Sequence, residues 1–288
     1  MLMKTTILIM RMHKNKALEV RPKLIICGAA SHPRDINYKR FREICDSVGA
    51  IMWADVAHGF GLKIAGVNNS PFPYADVVTA SASKSMRGPR VGVVYSRKKY
   101  EKAINHAVFP GILGAPQNGN IGALAIAFKY CSTPQYTEYA QRVVENCKAL
   151  ADELIKLGNN IVTGGTDTNI MMWDIKSHNI NAKTMLELGD ACNLQFNGAS
   201  IINDKVSKIE GQGCVRFGTN VITARDYQPE DCRQVARYLH EIAVIGSKIQ
   251  NSEAAVWQES LKIQEMSEEV EKFAVQFPLP GISTKYIF

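Results

Sequence analysis

The sequence predicts an α/β fold, in which helices cover a mostly parallel sheet, followed by a second, smaller α/β domain. Short apolar runs without polar alternation recur along the first half of the chain, as strands covered on both faces require. Segments with helical spacing separate these runs, and this alternation is typical of α/β domains. The predicted strands are LIICGA (24–29), IMWAD (51–55), DVVTA (76–80) and VGVVYS (91–96), and the predicted helix is NYKRFREICDSVG, ending on Gly49.

The pattern changes from about residue 120. Two long amphipathic patterns at 120–131 and 135–157 lead to two more apolar runs, NIMMWDI (169–175) and CVRFGTN (214–220), which we interpret as strands. A further helix is predicted from Pro229 to about residue 248, because proline suits the first turn of a helix. The charged tail at 251–272 also has a helical pattern. We therefore place the first domain at residues 1–133 and the second at residues 134–288.

Composition and charge narrow the classes of function. The 288 residues carry a net charge of +7, but the charge is dispersed and no basic stripe contains interleaved aromatic residues, so nucleic acid is not an expected partner. The densest basic run, SRKKYEK (96–102), is interpreted as the solvated start of a helix. No stretch approaches the roughly 20 apolar residues of a membrane span, and the apolar patch at 7–10 is interpreted as a strand fragment. Seven cysteines without a CxxC pair and six histidines without an HExxH motif predict reduced thiols and no metal site.

One glycine-rich stretch, HGFGLKIAG (58–66), follows a predicted strand. A dinucleotide fingerprint requires G-x-G-x-x-G, and Ile64 occupies the third glycine position here. We therefore interpret this stretch as a flexible turn and not as a pyrophosphate site.

Three single residues point to cofactor chemistry. Asp55 ends one predicted strand, His58 follows three residues later, and Lys84 comes just after the next strand. Ligand sites of open α/β sheets gather at the carboxyl ends of strands, so these groups are expected to converge on one crevice. Lysine as Schiff-base former and aspartate as partner of a ring nitrogen suit pyridoxal phosphate. Hydroxyl groups nearby are candidates for its phosphate or ring oxygen: Thr79, Ser81, Ser83 and Ser85.

Each of these residues also has an ordinary structural interpretation. An aspartate after a strand often caps a helix, a lone histidine is often a hydrogen-bonded structural residue, and a loop lysine is usually a surface residue. Taken one at a time, these interpretations are the commoner outcome. Spacing alone therefore leaves both interpretations open.

Several ordered motifs resemble serine hydroxymethyltransferase. They are RPKLIICGAASHPRDINYKRFREICDSVGA, ADVAHGFGL, PFPYADVVTASASKSMRGPR, HAVFPGILGAP, VTGGTDTN and CVRFGTNVITAR. The resemblance runs almost unbroken from about residue 21 to residue 249. The segment EEVEKFAVQFPLPG resembles the C-terminal end of eukaryotic members. The resemblance implies an aspartate-aminotransferase-like fold (fold type I) and pyridoxal 5'-phosphate as cofactor. It also implies interconversion of serine plus tetrahydrofolate with glycine plus 5,10-methylenetetrahydrofolate, in a homo- or hetero-oligomer. A cytoplasmic location is expected, with a mitochondrial one as the alternative.

The resemblance also implies roles for individual residues. Lys84 stands where the family has its Schiff-base lysine, Asp55 where an aspartate pairs with the pyridine nitrogen, and His58 near the phenolic oxygen of the ring. The remaining assignments are Ser81 lining the cofactor, Arg90 in a supporting position, Gly114 in the loop that reaches the phosphate across a dimer interface, and Arg216 on the substrate carboxylate.

The chain also departs from the family pattern. Ser83 replaces a histidine before the lysine, LGAP (113–116) replaces Gln-Gly-Gly-Pro, and Ala30 and His32 replace a serine and a tyrosine. GGTDTN lacks the usual Asn-His after its aspartate.

The family has a long N-terminal portion that this sequence does not show, so the resemblance implies a truncated member with an incomplete large domain and exposed sheet edge and apolar surface. Three hypotheses follow: an enzyme active when the missing half is supplied, a non-catalytic partner subunit of a full-length enzyme, or another fold-type-I enzyme such as an aminotransferase or aldolase.

Overall fold

A computed structural model describes residues 12–28, 30–201, 211–251 and 255–281 of the chain. The apolar patch at 7–10, interpreted above as a strand fragment, lies outside these residues. The described residues form two compact units. Unit 1 comprises residues up to 30 together with 35–137, and unit 2 comprises residues 31–34 together with those from 138 onward.

Unit 1 is built on a four-stranded sheet of β1 (Leu24–Gly28), β2 (Ile51–Asp55), β3 (Val77–Ser81) and β4 (Gly92–Ser96). The strands lie side by side in chain order; β1, β2 and β3 are parallel, and β4 runs antiparallel to β3. The helices of unit 1 are α1 (residues 12–20), α2 (Tyr38–Val48), α3 (Phe60–Ile64), α4 (Lys98–Val108) and α5 (Asn118–Cys131). The predicted α/β architecture with its mostly parallel sheet is confirmed.

The two edge strands of this sheet differ from the prediction of strands covered on both faces. In β1 only Cys27 is buried, while Leu24 and Ile26 keep 42% and 59% of their surface exposed. In β4, Val94 is 47% exposed. Each edge strand is paired on one side only, so its apolar side chains are not enclosed as they are in the central strands. The prediction of full coverage is wrong for β1 and β4, and the predicted exposure of apolar surface is found there.

Local sequence explains where two helices of unit 1 begin and end. The side chain of Asn37 accepts a hydrogen bond from the Arg40 amide at the start of α2. Gly49, with φ of 71°, ends that helix as predicted, because glycine adopts the left-handed conformation without strain. The stretch HGFGLKIAG forms the short helix α3 and not a flexible turn, so that interpretation is wrong. The physical reason is that the amide of Gly61, within α3, is tied to a buried serine hydroxyl described below.

Unit 2 contains a second sheet, formed by β5 (Asn160–Ile161), β6 (Ile170–Asp174), β7 (Asn197–Ala199) and β8 (Cys214–Gly218). Its order is β5-β6-β8-β7 and every pairing is antiparallel. The helices that follow unit 1 in the chain are α6 (Pro134–Lys156), α7 (Ala182–Ala191), α8 (Asn220–Ala224), α9 (Pro229–Asn251) and α10 (Ala255–Ala274), of which α6 begins in the last residues of unit 1. The predicted long helices and the two predicted strands of this half are present.

The core of unit 2 centres on Trp173 of β6, which is fully buried. Leu154 of α6, Met185 of α7 and Leu239 of α9 belong to the same cluster and are at most 1% exposed. Burial of such side chains is the main driving force for this packing.

The seven cysteines are all free and buried. Burial raises the pKa of the Cys27 thiol to about 12, which keeps it protonated. Among the described residues, no helix combines the length and the apolar character needed to cross a bilayer.

Candidate functional site

The carboxyl end of β2 carries two of the predicted site residues. Asp55 is half-buried, and its Oδ1 accepts a hydrogen bond from the Ala57 amide at 2.9 Å. Within the described part of the chain, its Oδ2 has no hydrogen-bond partner. One carboxylate oxygen thus caps the following turn and the other remains available to a ligand. His58 is half-buried in the same turn, between β2 and α3.

Lys84 lies in a turn formed by residues 82–86, directly after β3. The Lys84 carbonyl accepts from the Arg87 amide at 2.9 Å, and the Ala82 carbonyl accepts from the Gly88 amide at 2.7 Å. The Lys84 side chain is exposed. Because β2 and β3 are parallel neighbours, with Asp55 opposite Thr79 in the register, the Lys84 turn and the Asp55 turn occupy the same edge of the sheet. The structure therefore places these residues at one edge.

The four hydroxyl groups near Lys84 have different environments. The Oγ atoms of Ser81 and Ser83 lie 3.3 Å apart at the end of β3, and Ser83 is exposed. The Oγ1 of Thr79 accepts from the indole Nε1 of Trp53 at 2.9 Å. Ser85 is only 1% exposed. The prediction that its hydroxyl contacts a ligand is therefore wrong, because that hydroxyl is enclosed and already engaged by backbone.

A buried cluster of side chains holds the backbone of the Lys84 turn, and the sequence does not predict it. The Oγ of Ser85 accepts from the Gly61 amide at 3.0 Å, and the Ser85 carbonyl accepts from the Tyr136 hydroxyl at 2.8 Å. Tyr136 is fully buried. The next carbonyl, of Met86, accepts from the Cys131 thiol at 3.6 Å. In the sequence, Tyr136 is one aromatic residue in the first turn of a predicted helix, and no motif distinguishes it as a contact of the Lys84 turn.

A buried lysine lies close to the same part of unit 1. The side chain of Lys63, in α3, is 7% exposed, and its Nζ lies 3.7 Å from Oδ1 of Asp35. Burial lowers the pKa of Lys63, and the attraction of Asp35 opposes that effect. Enclosure and pairing make this amine a structural one, whereas the Lys84 side chain is exposed.

Two further predicted residues lie on exposed segments of unit 1. Arg90 is exposed two residues before Gly92, which pairs with Ser81, so Arg90 lies near the same sheet edge. Gly114 is exposed between α4 and α5. A Cβ atom added to Gly114 would meet nothing within 4 Å, so packing does not require glycine there.

Arg216 lies in unit 2, on β8, opposite Met172 and Asn197 of the neighbouring strands. It is half-buried, and its Nη1 donates to Oγ of Ser31 at 3.4 Å. Ser31 belongs to unit 2 although it follows β1 in the chain. The contacts of Arg216 described here therefore all lie within unit 2.

The segment 31–34 is attached to unit 2 by several hydrogen bonds. Nη1 of Arg34 lies 3.0 Å from Oδ1 of Asp167, and its Nη2 donates to the Thr163 carbonyl at 2.7 Å. The Pro33 carbonyl accepts from the Asp167 amide at 2.8 Å. These bonds fix the position of Ser31 relative to β8.

The groups at the β2–β3 edge fit pyridoxal phosphate. The groups that bind this cofactor are represented here by an exposed lysine amine, an imidazole, a serine hydroxyl and a carboxylate oxygen that has no partner among the described residues. Together with the parallel sheet, they define the class of the protein as fold type I, the aspartate-aminotransferase-like fold of pyridoxal-phosphate enzymes.

Comparison with known proteins narrows this class to one family. The family model for serine hydroxymethyltransferase matches residues 2–239, and the chain belongs to that family. It is 39% identical to the serine hydroxymethyltransferase of Desulfotalea psychrophila, over 93% of this chain and 60% of the relative. It is 37% identical to serine hydroxymethyltransferase 3, chloroplastic, of Arabidopsis thaliana, over 91% and 53%. It is 42% identical to the serine hydroxymethyltransferase of Coprothermobacter proteolyticus, over 81% and 56%. The chain thus spans 53 to 60% of the length of these relatives.

Proposed function

We propose that this chain contributes the cofactor lysine and the substrate-carboxylate site of a serine hydroxymethyltransferase. The reaction would interconvert serine plus tetrahydrofolate with glycine plus 5,10-methylenetetrahydrofolate, with pyridoxal phosphate as cofactor. The observation that carries the proposal is that Lys84 and Asp55 follow or end neighbouring parallel strands at one edge of the sheet, inside the region matched by the family model, with Oδ2 of Asp55 unbonded among the described residues.

Each residue has a defined part in this proposal. Bound pyridoxal phosphate supplies an electron sink for the substrate's α-carbon. Lys84 would hold the cofactor through its amine, and Oδ2 of Asp55 would keep a proton on the ring nitrogen. His58, in the turn after β2, and Ser81, at the end of β3, would line the cofactor site.

The supporting residues act at the edges of the site. The planar guanidinium of Arg216 suits two-point binding of the substrate carboxylate. Gly114 belongs to the segment proposed to approach the phosphate, and Arg90 supports the Lys84 turn. We also propose that residues 1–133 are the C-terminal part of a cofactor-binding large domain and residues 134–288 a small domain.

The surface of α5 supports association with a second family subunit. This helix is apolar over most of its length, yet Ile121 and Ile126 are 54% and 72% exposed. The segment before it exposes Phe109, Ile112 and Leu113 by 59 to 80%. A helix that is apolar on every side needs a covering layer, and another subunit of the same family would provide it, as a homo- or hetero-oligomer.

This surface also favours a second candidate function, that of a non-catalytic partner subunit of a full-length enzyme. Its location would be cytoplasmic, or mitochondrial, as the name of the Kluyveromyces lactis relative states for that protein.

The test of the proposal is chemical labelling of the purified chain. It is incubated with pyridoxal phosphate, reduced with borohydride and mapped by peptide mass spectrometry. We expect the label on Lys84, its loss in Lys84→Ala, and no change in Lys98→Ala, which removes an exposed lysine of α4. A label spread evenly over surface lysines would contradict the cofactor assignment. Co-expression with a full-length family member, followed by a serine- and tetrahydrofolate-dependent assay, then separates the catalytic from the non-catalytic subunit.

A further inference from the structure

We infer that Tyr136 is a positioning residue for Lys84: its buried hydroxyl fixes the turn that presents the lysine amine. The inference rests on the proposed function in one respect, since it takes Lys84 as the residue that holds the cofactor. It adds a residue that lies 52 positions further along the chain and touches no reacting atom.

The first step is the contact between Tyr136 and the residue after the lysine. The Tyr136 hydroxyl donates to the Ser85 carbonyl at 2.8 Å, and the tyrosine is fully buried. A buried carbonyl that loses its hydrogen-bond donor has no solvent to replace it. The hydrogen bond therefore determines the orientation of the peptide group that follows Ser85, one residue away from Lys84.

The second step is that the same serine connects the Lys84 turn to the segment after β2. Ser85 Oγ accepts from the amide of Gly61, three residues after His58. A Cβ atom on Gly61 would overlap the Tyr136 hydroxyl and lie 2.6 Å from the Ser85 carbonyl oxygen. Glycine is required here because the backbone of α3, the Ser85 peptide and the tyrosine hydroxyl meet without spare volume. Tyr136 thereby holds the Lys84 turn and the His58 segment in one fixed relation.

The third step is the closure of the turn on its other side. Cys131, at the end of α5, donates to the Met86 carbonyl at 3.6 Å, and the rings of Tyr130 and Tyr136 pack edge to face with centroids 5.4 Å apart. Two consecutive carbonyls after Lys84 are thus held by side chains. The Lys84 side chain itself is exposed, so its reach is set by the position of a backbone that these hydrogen bonds hold. Such preorganisation lowers the entropy that a ligand must remove on binding.

The experiment compares Tyr136→Phe with Tyr238→Phe. Both substitutions remove a tyrosine hydroxyl that makes a hydrogen bond, but Tyr238 donates to Glu269 in unit 2. The measurements are the pyridoxal phosphate concentration for half-maximal borohydride-trapped labelling of Lys84, its pH profile, and hydrogen–deuterium exchange of the amides at 82–88. In Tyr136→Phe we expect the half-maximal concentration to rise about five- to tenfold, as loss of one buried hydrogen bond predicts, with faster exchange in the turn. Tyr238→Phe should leave both readouts as in the wild type.

The outcomes separate this inference from the proposed function. If the wild type labels Lys84 and Tyr136→Phe changes neither the labelling nor the exchange, the positioning role is overturned. If the wild type does not label Lys84, the cofactor assignment fails, and the exchange rates decide whether Tyr136 holds the turn. Equal effects of Tyr136→Phe and Tyr238→Phe on labelling would show a general loss of stability and would also overturn the inference.

Discussion

Replacing Asp76 with asparagine should destabilise unit 1 through a partly buried charge network at the amino ends of the strands. The Oδ2 of Asp76 accepts from Nη1 of Arg42 at 2.8 Å and from the Met52 amide at 2.9 Å, while Oδ1 lies 3.4 Å from Nζ of Lys99. The Asp76 side chain is 12% exposed. One carboxylate thus joins α2, β2 and the start of α4.

The expected magnitude follows from the two short hydrogen bonds. A hydrogen bond to a charged group contributes about 1.5–3 kcal/mol, against about 1 kcal/mol for a neutral pair, and asparagine keeps an acceptor but removes the charge. Asp76→Asn should therefore lower the free energy of unfolding by about 2–3 kcal/mol, or the melting temperature by about 4–12 °C. Both quantities are measured by thermal and urea unfolding at neutral pH, with circular dichroism as the signal.

Asp46→Asn provides the matched control. Asp46 contacts the same arginine, with its Oδ1 2.9 Å from Nε of Arg42, but its side chain is 65% exposed. Solvent screens such a pair, so its loss should cost at most about 1 kcal/mol. Equal losses in the two variants, or a loss below about 0.5 kcal/mol for Asp76→Asn, would refute the reasoning.

The same network predicts a pH dependence with a defined sign. Burial raises the pKa of Asp76, but the Met52 amide, Arg42 and Lys99 together outweigh that effect and hold the pKa below its usual range. The stabilisation is therefore fully present above about pH 4, the ordinary range of an aspartate, and is lost as the pH falls through the lowered folded-state pKa. The stability difference between wild type and Asp76→Asn should shrink in that acidic window. A difference that stays constant down to the lowest pH measured would contradict this assignment.

Three other substitutions test separate features. Gly61→Ala should displace the Tyr136 hydroxyl and destabilise the chain by about 1–3 kcal/mol in urea unfolding, and an unchanged midpoint would contradict the close contact described above. Trp173→Ala should lower the free energy of unfolding by about 3–5 kcal/mol. Trp173→Phe should lower it by less than half as much, because the indole Nε1 has no hydrogen-bond partner within the described ranges. Equal losses in the two variants would disprove this. Burial lowers the pKa of both His178 and His240, so stability should be complete above about pH 6.5 and fall as the pH drops toward the lowered values. His240→Gln should reduce that slope in urea midpoints measured against pH, and an unchanged slope would contradict this assignment.

Periodicity in the sequence was sufficient for the elements whose patterns are long or strongly apolar. The strand IMWAD and the run that became β3 were recognisable, and with them the position of Asp55 and Lys84 at strand ends. Two short strands, β5 and β7, contain two and three residues, which is too few to show a period. β5 forms by pairing with β6, and β7 forms by pairing with β8. These pairings depend on the tertiary structure and not on a local sequence pattern.

The errors have similar physical causes. The glycines of HGFGLKIAG suggest mobility in the sequence, but Gly61 allows close packing against Ser85 and Tyr136. The sequence does not separate Ser85 from the neighbouring hydroxyl residues, because the alternation along a strand does not extend into the turn that follows it. The apolar residues of β1 were expected to be covered, and pattern alone does not distinguish an edge strand from a central one.

The segment 31–34 means that unit 2 is not a continuous piece of sequence. Its hydrogen bonds from Arg34 to Thr163 and Asp167 close loops of 129 and 133 residues, and such closures are slow steps in folding. A fragment that begins at Glu138 would leave the Asp167 carboxylate without Arg34 and its amide without the Pro33 carbonyl. A short peptide that carries residues 30–35 should restore these bonds in trans, so unit 2 is suited to fragment complementation and not to simple excision.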